Sequence, residues 1–223
     1  MAQPFSREDL SRARVRLLRD GRAANACVSC VTWQGKDWTV KDFSTRPWWV
    51  RYCLAPLLMT HELNILKRLQ NIEGVAGEAF LVDRFALAIR FLPGRSLSRV
   101  PPEEVTTQYL EAMEALLGRV HAQGIVHLDT RGTGNWLVSP EGKPLLIDFQ
   151  AALSTRCLPA SWRRVLELVD MSGVYKKWHE WQPQTMGAER EALYAEAQRW
   201  RSRWELKGYF GRKKKAGDNK FGS

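Results

Sequence analysis

The segment IVHLDTRGTGNWLV, residues 125–138, sets His127, Asp129, Arg131 and Asn135 on a glycine-containing link between two apolar ends. The residues before it, TTQYLEAMEALLGRVHAQG, carry Leu110, Met113, Leu116, Leu117 and Val120 at helical spacing, with Gly124 as a C-terminal cap. Those after it, NWLVS, PEGKP and LLIDF, read as two short strands around a turn. The polar segment is therefore a loop between a helix and a hairpin. Asp148 ends the second strand, after Ile147 and before Phe149. A carboxylate leaving an apolar run is costly without a partner, and a metal ion would be one.

Working outward, Ser6 and Asp9 have capping-box spacing. They predict a helix through REDLSRARVRLLRD to Gly21, so residues 1–20 are expected to be an N-terminal helix. NACVSCVTW and DWTVKDFS read as strands joined by a hairpin turn at QGK, with Lys41 on the second. Pro47 opens a helical pattern that runs from Trp48 to Leu69, broken or kinked at Pro56, with Glu62 on it. EAFLVDR and FALAIRFL form another strand pair, and PGRSLSRVPPEE is a connector. Helices are expected over 161–180 and 187–207. The order predicts an α+β chain of two lobes. Their boundaries are the helix 1–20, a β-rich N-lobe 21–92, a compact helical C-lobe 93–198 and a tail 199–223.

A chain of 223 residues, 44% hydrophobic, buries one sizeable core or two small lobes sharing a cleft. No apolar run reaches the ~18 residues that cross a bilayer. WWVRYCLAPLLM is interrupted by Arg51, and the N-terminus has no apolar signal region, so a cytoplasmic location is expected. Cys27, Cys30, Cys53 and Cys157 make no disulfide framework. CVSC has no second ligand pair, so it reads as strand thiols. The net charge is +10, and residues 199–223 hold nine Lys/Arg against two acids. Such a tail is either solvated or drawn to an anionic membrane surface or glycolipid. Trp200 and Trp204 lie among its arginines at helical spacing, as on an interfacial helix or one packed on its own lobe. A nucleic-acid partner lacks any stacking or groove-reading motif.

Phosphoryl transfer to a hydroxyl needs a cation for the nucleotide phosphates, a group that fixes that cation, an acid and an amide for Mg²⁺, and a carboxylate for the acceptor. Lys41, Glu62, Asp129, Asn135 and Asp148 occur in the order this chemistry uses in one fold. On VKDF, HELNILKRL, RFLPGRSL, VHLDTRGTGNWLV and LLIDFQ the chain resembles the protein-kinase-like superfamily, over about residues 21–152. Within it, the resemblance is to small bacterial kinases of lipopolysaccharide core sugars (Kdo and heptose kinases) and to RIO-type atypical kinases. It implies a two-lobed fold with a truncated helical C-lobe, ATP and Mg²⁺ as cofactors, and a hydroxyl acceptor. That acceptor would be a sugar of a lipopolysaccharide core precursor or, in a RIO-like enzyme, a protein. It also implies that Lys41 contacts the α/β-phosphates and Glu62 fixes it, while the backbone of Arg90, Phe91 and Leu92 holds adenine. Asp129 would orient or deprotonate the acceptor, Arg131 neutralise the moving group, Asn135 and Asp148 bind Mg²⁺, and His127 pack.

The chain departs from that pattern in several places. Asn135 stands six positions after Asp129 rather than five. Gly132 and Gly134 are expected to absorb the extra residue through unusual dihedrals, with Thr133 as the rival ligand. DFQ replaces DFG, which argues against switching at Gln150. No G-x-G-x-x-G precedes Lys41, only Gly21 and the small Ala23, Ala24 and Asn25. No APE follows Asp148. These features favour a small or membrane-presented acceptor, and leave open a nucleotide-binding module without turnover.

Overall fold

The computed structural model describes residues 3–21 and 24–205, with backbone only for 203–205. Ser6 makes the expected capping box with Asp9, but the helix it opens, α1 (Arg7–Leu10), is four residues long. The chain then becomes strand β1 (Arg14–Arg19), so the described residues do not form the single helix expected over 1–20. Arg14, Val15, Arg16 and Leu17 alternate with a period of two, and β1 pairs antiparallel with β2 (Cys27–Trp33). A helix here would have left the outer edge of β2 without hydrogen-bond partners. Gln34 and Gly35, both with left-handed φ (48° and 75°), turn β2 into β3 (Lys36–Asp42). That is the turn geometry two-residue hairpins favour.

A π-helical turn, Val50–Leu54, leads into α2 (Ala55–Leu69), with Pro56 in its first turn where no N–H is needed. Strands β4 (Ala79–Asp83) and β5 (Ala86–Arg90) complete a five-stranded sheet of order β1-β2-β3-β5-β4. Met59, Leu63, Leu66 and Leu69 of α2 join the main core. A second cluster, with Trp38, Val40, Val82 and Ala88, is closed by Phe5. Phe5 meets Trp38 and Phe80 edge-on at 5.8 and 5.0 Å. The N-terminal segment thus packs against the sheet, and Arg7 ties it there by bridging Asp42 and Asp83.

The second half begins with β6 (Arg95–Ser96) and α3 (Thr107–Ala122), whose buried stripe is the one the spacing predicts. Short strands follow: β7 (Ile125–Val126), β8 (Trp136–Val138), β9 (Pro144–Leu146) and β10 (Leu153–Ser154). They form the sheets β6-β8-β9 and β10-β7. Helices α4 (Ala160–Trp181), α5 (Pro183–Met186) and α6 (Ala188–Glu205) end the described chain. One core runs from α2 through Leu110 and Met113 of α3 to Val174 and Trp178 of α4. Each such side chain contributes roughly 1.5–3 kcal/mol on burial, so a continuous core joins the two halves. Cys27 and Cys30 are unpaired thiols on β2, half-buried and buried, as expected. The basic segment 206–223 lies outside the described residues.

Candidate active site

Lys41, next to the C-terminal end of β3, reaches Glu62 on α2, and both side chains are buried. Lys41 Nζ donates to Glu62 Oε1 and Oε2 at 2.8 and 2.9 Å and to Asp148 Oδ1 at 2.7 Å. Burial alone would push the lysine down. The two carboxylates outweigh it and hold the ammonium above its ordinary value. Burial pushes Asp148 up, but Lys41 overrides it, helped by Arg19, and the acid is held below the usual range. The Lys41–Glu62–Asp148 cluster alone has one cation against two carboxylates, and Arg16, Arg19, Arg90 and Arg99 on the same cleft lining make the cleft as a whole cationic, which suits a polyanionic ligand.

Asp148 has φ 67° and ψ 69°, a left-handed conformation uncommon outside glycine. That turn, followed by a 3₁₀ turn at Phe149–Ala151, swings its carboxylate out of the β9 run toward Lys41. The cleft it faces has a volume of about 680 Å³. Its polar lining includes Lys41, Glu62, Asn135 and Asp148, and its apolar lining includes Val28, Ile89, Leu137 and Leu146. A smaller hollow of about 360 Å³ beside Gly124 and Arg156 holds none of these polar groups.

Asn135 Nδ2 donates to Asp129 Oδ2 at 2.7 Å and to the Asp129 carbonyl at 3.0 Å. The Ile147 N–H donates to the Asn135 carbonyl at 3.0 Å, so Asn135 sits across from the residue preceding Asp148. With Nδ2 engaged, Asn135 has its amide oxygen left to offer a metal. The geometry thus brings Asn135, not Thr133, to Asp129 despite the six-residue spacing. The glycines do not accomplish this. Gly132 and Gly134 have no left-handed φ, and a side chain at either would meet open space. The unusual dihedral belongs to Leu128, with φ 64°.

What holds Leu128 is Asp170, a fully buried acid on α4. Its carboxylate accepts the N–H of His127 at 2.7 Å and of Leu128 at 2.9 Å, and also meets His121 Nε2 at 2.9 Å. His127 is buried under the loop. Its Nε2 faces the Ile147 carbonyl at 3.0 Å and its Nδ1 faces the Asp129 N–H, which fixes the tautomer with the proton on Nε2. Lys177, one α4 turn beyond Gly173, donates to the carbonyls of Thr130, Arg131 and Gly173 at 2.7, 3.0 and 3.0 Å. It has no carboxylate partner among the described residues. Burial first, then the charges of Lys176 and Arg131, push it down to about 7. Gly173 is glycine because a Cβ would lie 2.2 Å from Thr130 Oγ1.

No family model matches the chain, and neither does any curated protein. Among solved structures, it is similar to the Rio2 kinase of Chaetomium thermophilum, solved as an ADP/Mg²⁺-phosphoaspartate complex. The TM-score is 0.58 at 17% sequence identity, covering 85% of this chain and 62% of that one. The fold is protein-kinase-like. The chain spans less than two thirds of the Rio2 chain it matches.

In such a fold β1–β5 with α2 form the N-lobe, and residues 90–92, where the adenine contacts were expected, lead out of β5 toward β6. There the N–H groups of Arg90 and Phe91 are committed to the carbonyls of Glu78 and Asp37. The Leu92 N–H makes no backbone bond among the described residues, so of the predicted adenine contacts it is the free donor. Arg131 is half-buried, and its Nη1 lacks a partner among the described residues. The structure brings Lys41, Glu62, Asn135 and Asp148, all singled out from sequence, to one cleft, with exposed Asp129 hydrogen-bonded to Asn135. Sequence reasoning missed Asp170, Gly173 and Lys177. A signal existed for Asp170, since an acid inside LELVDMSGV needs a buried partner. Lys177 bonds only to backbone carbonyls, which leave no mark on the sequence.

The residues fit a Mg²⁺-nucleotide. Among the described residues no group of three or more His, Cys, Asp or Glu forms a metal cage. Mg²⁺ does not require one, because it is commonly bound by one or two protein ligands together with phosphate oxygens and water.

Proposed function

We propose that this chain is an ATP- and Mg²⁺-dependent phosphotransferase acting on a hydroxyl group. The observation that carries the reading is the Lys41 ammonium, clamped by Glu62 and Asp148 and directed into a cleft that Asn135 also lines. In this reading Lys41 holds the α/β-phosphates, Glu62 keeps Lys41 extended, and the Leu92 backbone and the apolar walls take the base. Asn135 and Asp148 are the Mg²⁺ ligands. Bound ATP with its metal would supply the phosphoryl group and offset its charge. Asp129, held by Asn135 and exposed, takes or orients the acceptor hydroxyl proton, and Arg131 offers a cation for the transferred group.

The acceptor we favour is a sugar of a lipopolysaccharide core precursor. It rests on the resemblance of VHLDTRGTGNWLV and LLIDFQ to the kinases of those sugars, and on a basic, tryptophan-rich chain suited to an anionic glycolipid. The likeness to Rio2 kinase favours a second reading, a compact RIO-like protein kinase. A module that binds nucleotide without turnover is a third, favoured by the lack of a glycine-rich loop. Incubation of labelled ATP with a lipopolysaccharide extract and with casein separates them. Label in the extract, lost in Asp129→Asn, is the expected result. Label on casein alone selects the RIO-like reading. Label on neither, in a chain that binds Mg²⁺-ATP, selects the inactive module.

A further inference from the structure

The N-lobe carries a surface that the cleft does not use. The turn before α2 and its first residues expose Trp48 (70%), Trp49 (48%), Tyr52 (54%) and Leu57 (70%). Exposed aromatic side chains at this density cost solvation and mark an interaction site. Two arginines frame them. Arg51 and Arg84 each stack on Tyr52 and Phe85, with guanidinium-to-ring distances of 4.8–5.4 Å. Tyr52 and Phe85 meet edge-on at 5.4 Å. Neither arginine has a carboxylate partner among the described residues, whereas Arg46 close by is paired with Asp20. From Arg46 to Thr60 the sequence has no acid at all.

We infer that this patch docks the protein on an anionic lipid surface. Trp and Tyr prefer the headgroup level of a bilayer, where an apolar ring and a polar edge are both satisfied. Leu57 adds an apolar side chain for the acyl boundary. The uncompensated arginines match anionic headgroups, and stacking keeps them beside the rings that enter. A protein partner could also use Trp, Tyr and Arg, but the unbroken run without acid and the two unpaired like charges favour a uniformly negative surface. The inference does not depend on phosphotransfer, nor on the basic segment 206–223.

The test is co-sedimentation of the full chain with vesicles of phosphatidylcholine, with and without phosphatidylglycerol. The parent is expected to bind only the anionic vesicles. Trp48→Ser with Trp49→Ser, and separately Arg51→Glu with Arg84→Glu, are expected to weaken binding about tenfold or more. Both should keep the parent's melting temperature within a few degrees. Changing Lys213, Lys214 and Lys215 to Gln should leave the dependence on the tryptophans intact. Binding unchanged in both patch variants, or no binding by the parent, overturns the proposal. So does a parent dimer that the tryptophan variant converts to monomer, because the patch then faces a second copy of the chain.

Discussion

Two buried lysines, one in each half of the molecule, are held in opposite ways. Lys41 in the N-lobe faces two carboxylates, and its ammonium is stabilised despite burial. Lys177 in the C-lobe faces three carbonyls and no acid, and burial brings it down to about 7. The first arrangement presents a permanent charge to a cleft. The second ties the backbone at Thr130 and Arg131 to α4, where the need is for donors rather than for charge. Same residue type, different partners: in the proposed reading one lysine serves the nucleotide and the other the geometry of the loop 127–135.

The largest test of this contrast is Lys41→Met. It should lower phosphotransfer by about a hundredfold or more, the scale of losing one electrostatic contact to a transferring group, while the circular dichroism spectrum stays that of the parent. Equal loss of activity in Lys177→Met, with no change in the spectrum or stability, would erase the distinction. Next come the residues that fix the loop. Asp170→Asn replaces one of the oxygens that accept the His127 and Leu128 N–H groups by a donor, and should cost about 1–3 kcal/mol in urea unfolding. Gly173→Ala should cost a similar amount, because the helix must move off Thr130.

A finer test is pH. With Lys177 held down to about 7 against its ordinary 10.5, the folded chain gives up this proton, and with it one of the three N–H donors, at a pH where the unfolded chain still keeps it. The unfolded state binds the extra proton, so this group makes stability rise with pH across that window, by up to about 1.4 kcal/mol per pH unit. Lys177→Met should remove that part of the slope, measured by urea unfolding at several pH values between 7 and 10. A slope identical to the parent's would show that Lys177 does not titrate there. Smallest of all, Gly132→Ala and Gly134→Ala should stay within about 0.5 kcal/mol of the parent, since neither glycine needs a left-handed φ.

The glycines show where sequence reading ends. Lys41 and Glu62 were legible because they sit in a strand and a helix whose periodicity is local, and Asn135 and Asp148 because they flank two short apolar strands. The two-lobe order was legible for the same reason, from the strand pairs, the Trp48–Leu69 helix and the α3 stripe. The strand β1 was not, because a true capping box at Ser6 starts a helix that pairing with β2 then stops. The mechanism of the loop was hidden too. Its unusual dihedral falls on Leu128, and the acid that holds it lies 42 residues later in the chain. Such distant partners become visible only when α4 is folded under the loop.

The central claim is that the cleft between Lys41 and Asp148 takes a nucleotide with its metal. The most direct measurement is the melting temperature of the parent and of Asp148→Asn with ATP, in the presence and absence of Mg²⁺. Mg²⁺-ATP should raise the parent's melting temperature, as linked binding requires, and the Mg²⁺-dependent part of the rise should vanish in Asp148→Asn. A parent that does not respond to Mg²⁺-ATP, or a variant that responds as the parent does, would contradict it.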